Sequence, residues 1–63
     1  MYNLSVLIPT YNQSCLELVS QLHTQLEQAG VLYEIIVADD GSTDRSAVEA
    51  NLGIASLEHC QYI

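Results

Sequence analysis

The chain has 63 residues, well under the ~100–150 of a typical domain, so it holds one small core and no second domain. Hydrophobic residues make up 49% of it at a formal net charge of −7, too apolar a balance for a disordered acidic tail. Eight acidic residues face one cation, Arg45, and there is no lysine, which excludes a basic surface for nucleic acid or for an anionic membrane.

No apolar run approaches the ~20 residues of a membrane-crossing helix. Met1-Tyr2-Asn3-Leu4 lacks the positive flank and long apolar stretch of a signal peptide, and the expected location is cytoplasmic. Cys15 and Cys60 are too few and too distant for a disulfide framework or a zinc site, and read as ordinary thiols of a reducing compartment. His23 and His59 are likewise isolated, so the sequence assigns no metal ligand.

Leu4-Ser5-Val6-Leu7-Ile8 is a branched apolar run closed by Pro9, which lacks a ladder donor, and reads as a buried strand. Ser14 with Glu17 three residues on has the spacing of a capping box, so a helix is expected from about Cys15. Leu16, Val19, Leu22, Leu26 and Ala29 share one face of that helix, and Gly30 ends it in the left-handed conformation. Glu34-Ile35-Ile36-Val37-Ala38 is a second strand, apolar on both faces after its first residue. It stops at the turn-forming cluster Asp39-Asp40-Gly41-Ser42. Ser46 with Glu49 repeats the capping spacing and opens a weaker helix that closes near Gly53, and the segment from Glu58 to Ile63 suits a third strand.

This order is a βαβαβ unit, an α/β Rossmann-like parallel sheet, and right-handed crossovers put both helices on one face. The other face then carries apolar side chains that nothing in the chain covers. That is the mark of a fragment or of an obligate oligomer, and a fragment that self-associates as a dimer is the expectation.

Ligands of parallel α/β sheets bind beyond the carboxyl ends of the strands, here Pro9-Thr10-Tyr11-Asn12 and Asp39-Asp40-Gly41-Ser42. Adjacent strands lie ~4.8 Å apart, so both segments can meet around one ring-shaped ligand. Tyr11 can stack on a nucleobase and an aspartate can accept from its N–H groups. Gly41 admits a close backbone approach, and the helix start that follows has free N–H groups suited to a phosphate. Side-chain alternation sends Asp39 and Asp40 to opposite faces without saying which one meets the base. Taken singly, an Asp-Gly turn only caps a strand and a tyrosine only lids a core. Their occurrence at matching strand ends favours the binding reading.

The segments Leu4-Ser5-Val6-Leu7-Ile8-Pro9-Thr10-Tyr11-Asn12 and Tyr33-Glu34-Ile35-Ile36-Val37-Ala38-Asp39-Asp40-Gly41-Ser42-Thr43-Asp44 together resemble the opening of a family 2 glycosyltransferase of the GT-A fold. The likeness covers nearly the whole chain, so residues 1–63 are expected to be the nucleotide-binding N-terminal part of such a domain. It implies that Pro9, Thr10 and Tyr11 line the nucleotide pocket, with Tyr11 on the base, most often uracil. It also implies that Asp40 hydrogen-bonds the base imide, that Asp39 is a supporting or ribose-side residue beside Gly41 in the pocket, and that Asp44 starts a helix.

Family members continue to an Asp-X-Asp motif that holds a divalent metal on the diphosphate and to an acidic base for the acceptor hydroxyl. Neither occurs here. The resemblance thus implies Mn²⁺ or Mg²⁺ in the full-length enzyme, none held by these residues, and no transfer by this chain alone. It also leaves room for membrane association of the parent through other regions. Two rivals are weaker. A phosphoacceptor receiver needs a lysine and places its acidic pair after the first strand. A non-catalytic oligomerising module that has lost the site needs the bare sheet face buried by a partner.

Overall fold

The computed structural model describes residues 2–63. Strand β1 (Leu4–Thr10) is followed by helix α1 (Leu16–Ala29), strand β2 (Tyr33–Asp39), helix α2 (Arg45–Leu52), a 3₁₀ turn (Gly53–Ser56) and strand β3 (Cys60–Tyr62). The strands form one parallel sheet in the order β1-β2-β3. The α/β Rossmann-like arrangement expected from the sequence is therefore present. Register sets Leu4 beside Tyr33 and Thr10 beside Asp39, so the carboxyl ends of β1 and β2 lie level.

Strand alternation sorts the side chains cleanly. Val6 and Ile8 of β1, Tyr33, Ile35 and Val37 of β2, and Cys60 and Tyr62 of β3 point to one side. There they pack with Leu16, Val19, Leu22 and Leu26 of α1 and with Ile54 and Leu57. Val19, Ile35, Val37 and Ile54 are fully buried, each stabilising the fold by about 1.5–3 kcal/mol. α2 closes the same side with the buried residues Ala47 and Asn51. The residues of opposite parity stay uncovered: Leu7 is 68% and Ile63 69% exposed. At the rim of that bare face the Ser5 hydroxyl donates to Glu34 at 2.7 Å.

Tyr33 ties α1 to the start of β2, its hydroxyl donating to Glu27 at 2.8 Å while its ring meets His59 and His23 edge-on. Burial first, and then the Glu27 carboxylate, push that hydroxyl far above the usual tyrosine range. Among the described residues no helix is long and apolar enough to cross a membrane. Both cysteines are free and buried, and burial raises the Cys60 thiol.

Three local expectations are corrected. α1 is not opened by a box of Ser14 with Glu17: its N-cap is Cys15, which makes no side-chain capping bond. The Cys15 N–H instead donates to Asn51, a tertiary contact that decides the helix entry over the local pattern. α2 likewise begins without the box of Ser46 and Glu49, because Asp44 in extended conformation already accepts from Ala47 N–H at 3.1 Å. Gly30 has φ +72°, the left-handed stop expected of it, but Gly53 has φ −66° and leads straight into the 3₁₀ turn. A Cβ built at Gly53 would meet the methyl groups of Leu16 at 3.6 Å, an ordinary van der Waals contact.

Candidate functional site at the strand ends

The pairing of β1 with β2 runs one residue past the strands, since Asp40 N–H donates to the Thr10 carbonyl at 3.0 Å. Beyond that bond the two segments separate. Tyr11 leaves β1 with its side chain 58% exposed, and Asp40 leaves β2 exposed. Among the described residues no hydrogen-bond partner engages the Asp40 carboxylate. A ring and a carboxylate therefore stand in solvent at neighbouring strand ends.

The other candidates divide between solvent and interior. Pro9 is exposed, and by alternation it belongs to the uncovered sheet face with Leu7. Thr10 is buried, its hydroxyl donating to the Gln13 carbonyl at 3.1 Å and accepting from the Cys15 thiol at 3.3 Å. Its side chain shapes the loop from within. Gly41 has φ +77°, and a Cβ built there would meet nothing within 4 Å. Glycine is required at this position by the backbone conformation, and no neighbour in the chain crowds it.

Asp39 and Asp40 differ sharply. Asp39 Oδ1 accepts from Ser42 N–H at 2.8 Å, and its Oδ2 accepts the Tyr62 hydroxyl. The Ser42 hydroxyl, then the Tyr62 hydroxyl, then the Ser42 N–H hold its carboxyl below the ordinary value of 3.8. The same contact with Asp39, aided by burial, raises the Tyr62 hydroxyl. Asp39 is committed inside the protein; Asp40 is free.

Asn12 joins the two loops. Its backbone sits at φ +53°, a conformation asparagine tolerates. Its Oδ1 accepts from Thr43 N–H at 2.7 Å and Asp44 N–H at 2.9 Å, and its own N–H donates to the Ser42 hydroxyl at 2.8 Å. This narrows one expectation. The amides of Thr43, Asp44 and Ala47 around the start of α2 are taken by Asn12 and by the Asp44 cap, so those three do not point free at a phosphate. Asp44 itself is the helix-start residue that the resemblance implied.

Sequence reasoning passed over Asn51 and Tyr62. Asn51 is fully buried and bonds to both Cys15 and Gln13. Its signal was a polar residue four positions after Ala47 on the inward stripe of α2. Tyr62 lies level with Val37 by register, two residues short of Asp39, and no local pattern gives that proximity away.

The strand ends do not fit a divalent metal. Such an ion takes about six oxygen ligands, commonly with more than one carboxylate, and here Asp40 alone is uncommitted. Among the described residues the one group of three metal-ligating side chains is Glu27, Glu58 and His59, all exposed, with ligand atoms within 4.8 Å of one another. It lies at the amino ends of β2 and β3, the wrong end of the sheet to serve a ligand at Tyr11 and Asp40. A shallow open depression along α1, lined by Glu17, Ser20, Gln21, Thr24 and Gln25, is the face of a single helix and gathers no convergent groups from elsewhere.

The family model described as Glycosyl transferase family 2 matches residues 5–63, a span that includes both strand-end motifs. The chain belongs to that family. Its parallel sheet with interleaved helices is the N-terminal part of the GT-A fold, and membership carries a glycosyltransferase-type role in binding nucleotide-sugars. No solved structure matches the chain.

Proposed function

We propose that the strand ends of this family 2 glycosyltransferase chain bind the nucleotide of a uridine diphosphate-sugar, the donor for transfer to an acceptor hydroxyl. One observation carries the reading. Tyr11 and Asp40 are exposed together at adjacent strand ends, while the Thr10, Asn12, Asp39 and Ser42 side chains around them are spent on internal hydrogen bonds. The free groups are an aromatic face for stacking and a carboxylate that accepts from a base N–H. Pro9 and the Gly41 turn flank them.

Uracil is chosen by the family likeness, because a carboxylate serves the N–H edge of guanine as well. A divalent cation, Mn²⁺ or Mg²⁺, on the donor diphosphate would need ligands other than these residues.

Titration of the chain with UDP and with GDP, followed by amide chemical shifts, tests the proposal. UDP is expected to bind more tightly, with the largest shifts at Tyr11, Asp40 and Gly41. Shifts centred on the α1 depression or at the amino ends of the strands would refute it.

A further inference from the structure

Asn51 is fully buried, and its side-chain amide is used on both sides by the loop between β1 and α1. Oδ1 accepts from Cys15 N–H at 2.7 Å, and Nδ2 donates to the Gln13 carbonyl at 2.9 Å. The Gln13 carbonyl also takes the Thr10 hydroxyl, so the segment that presents Tyr11 is fastened at its far end to a residue of α2. Asn12, in that same segment, accepts from Thr43 N–H and donates its own N–H to the Ser42 hydroxyl in the turn that presents Asp40. One buried side chain thus fastens the loop that is itself tied to the Asp40 turn.

We propose that Asn51 is a positioning residue of the nucleotide site, fixing the Tyr11 loop in register with the Asp40 turn. The inference rests on reading the strand ends as the nucleotide pocket. A primary amide offers an acceptor and a donor together; a carboxylate lacks the donor, and leucine, of similar size, lacks both. Loss of the pair leaves the buried Cys15 N–H without a partner and the Gln13 carbonyl with the Thr10 hydroxyl alone, and the loop relaxes in response. Its movement carries Tyr11 away from Asp40.

The test compares UDP affinity, corrected for folded fraction, among the unsubstituted chain, Asn51→Leu, Asn51→Asp and Ile54→Val. Ile54 is fully buried in the 3₁₀ turn, and its substitution weakens the core without touching either loop. Asn51→Leu is expected to lose at least about tenfold in affinity, equivalent to ~1.4 kcal/mol, and Asn51→Asp less, while Ile54→Val stays within about twofold. Unchanged affinity in Asn51→Leu, or an equal loss in Ile54→Val, overturns the positioning role. If neither Asn51 variant folds, the native chain decides: the Asn51 side-chain amide resonances shift on saturation with UDP, and signals that do not move overturn the proposal. An unsubstituted chain that binds no UDP removes the pocket itself, an outcome distinct from a loss confined to the Asn51 arms.

Discussion

Tyr62, on β3, donates its hydroxyl to Asp39 at the end of β2, and with Ser42 N–H this engages both Asp39 oxygens within the protein. The pairing has a pH signature. The folded pKa of Asp39 is depressed, so the unfolded chain binds more protons in the acid range. The stabilisation is whole above the ordinary value of 3.8 and is lost as pH falls through the lower folded value. Tyr62→Phe should move the Asp39 titration upward, yet leave it below 3.8, because Ser42 is the larger cause. The Asp39 carboxyl carbon signal followed by NMR from neutral to acid pH measures this, and a titration unmoved by Tyr62→Phe contradicts the coupling.

The alkaline limb has the opposite sign. Tyr33 and Tyr62 both have raised folded pKa values, so their contribution is intact below the ordinary value of 10.0 and is lost as pH rises through the folded ones. The denaturation midpoint should therefore fall above about pH 10. Tyr33→Phe should flatten that fall more than Tyr62→Phe, since Tyr33 is the more deeply buried. A midpoint independent of pH between 9 and 11, values on either side of the ~10 of an ordinary tyrosine, would show that neither hydroxyl is perturbed.

How much of this was legible in sequence follows the range of the interactions. β1 and β2 were, because a branched apolar run ended by a proline or an Asp-Gly turn has few other uses. Gly30 was, since the left-handed stop is local. The start of α1 falls where the sequence puts it, at Cys15, but what holds that start was hidden, because Asn51, which accepts the Cys15 N–H, lies 36 positions away. The division of labour between Asp39 and Asp40 was hidden for the same reason: Tyr62 is 23 positions on, and strand alternation alone is symmetric between the two aspartates. Tyr11 is singled out by its place at a strand end, which depends on topology and not on the helix boundaries.

The uncovered sheet face should drive association of the 63-residue chain. Leu7 and Ile63 are its most exposed large side chains, and apolar area removed from water stabilises a contact by about 25 cal/mol per Å². A symmetric dimer through this face is expected by sedimentation, with Leu7→Lys shifting it to monomer. A monomer at high concentration in the unsubstituted chain contradicts the expectation.

Binding and turnover should separate in this chain. With Asp39 engaged by Ser42 and Tyr62, the strand ends offer, among the described residues, one free carboxylate and no second one to act on an acceptor hydroxyl. Incubation with UDP-sugars, simple acceptors and Mn²⁺ should release no UDP above a protein-free control. Release that scales with chain concentration would place a catalytic group among these residues.

The roles of Tyr11 and the aspartate pair make the sharpest prediction. Tyr11→Ala removes the exposed ring and should weaken UDP binding by ~1–3 kcal/mol, the range for a base on an aromatic platform, whereas Tyr11→Phe keeps the face and most of the affinity. Asp40→Asn preserves shape but turns part of an acceptor into a donor, so an imide N–H meets a poorer partner at a cost of ~1–3 kcal/mol. Because the Asp40 carboxylate makes no internal bond among the described residues, that change should leave the denaturation midpoint nearly unmoved. Asp39→Asn reverses the pattern: it gives up charged acceptance from Ser42 and Tyr62, lowers the midpoint, and weakens UDP binding less than Asp40→Asn does. Measuring affinity and midpoint on the same samples distinguishes the two aspartates. Equal affinity losses would deny the division of roles, and full affinity in both Tyr11→Ala and Asp40→Asn would take the base away from this end of the sheet.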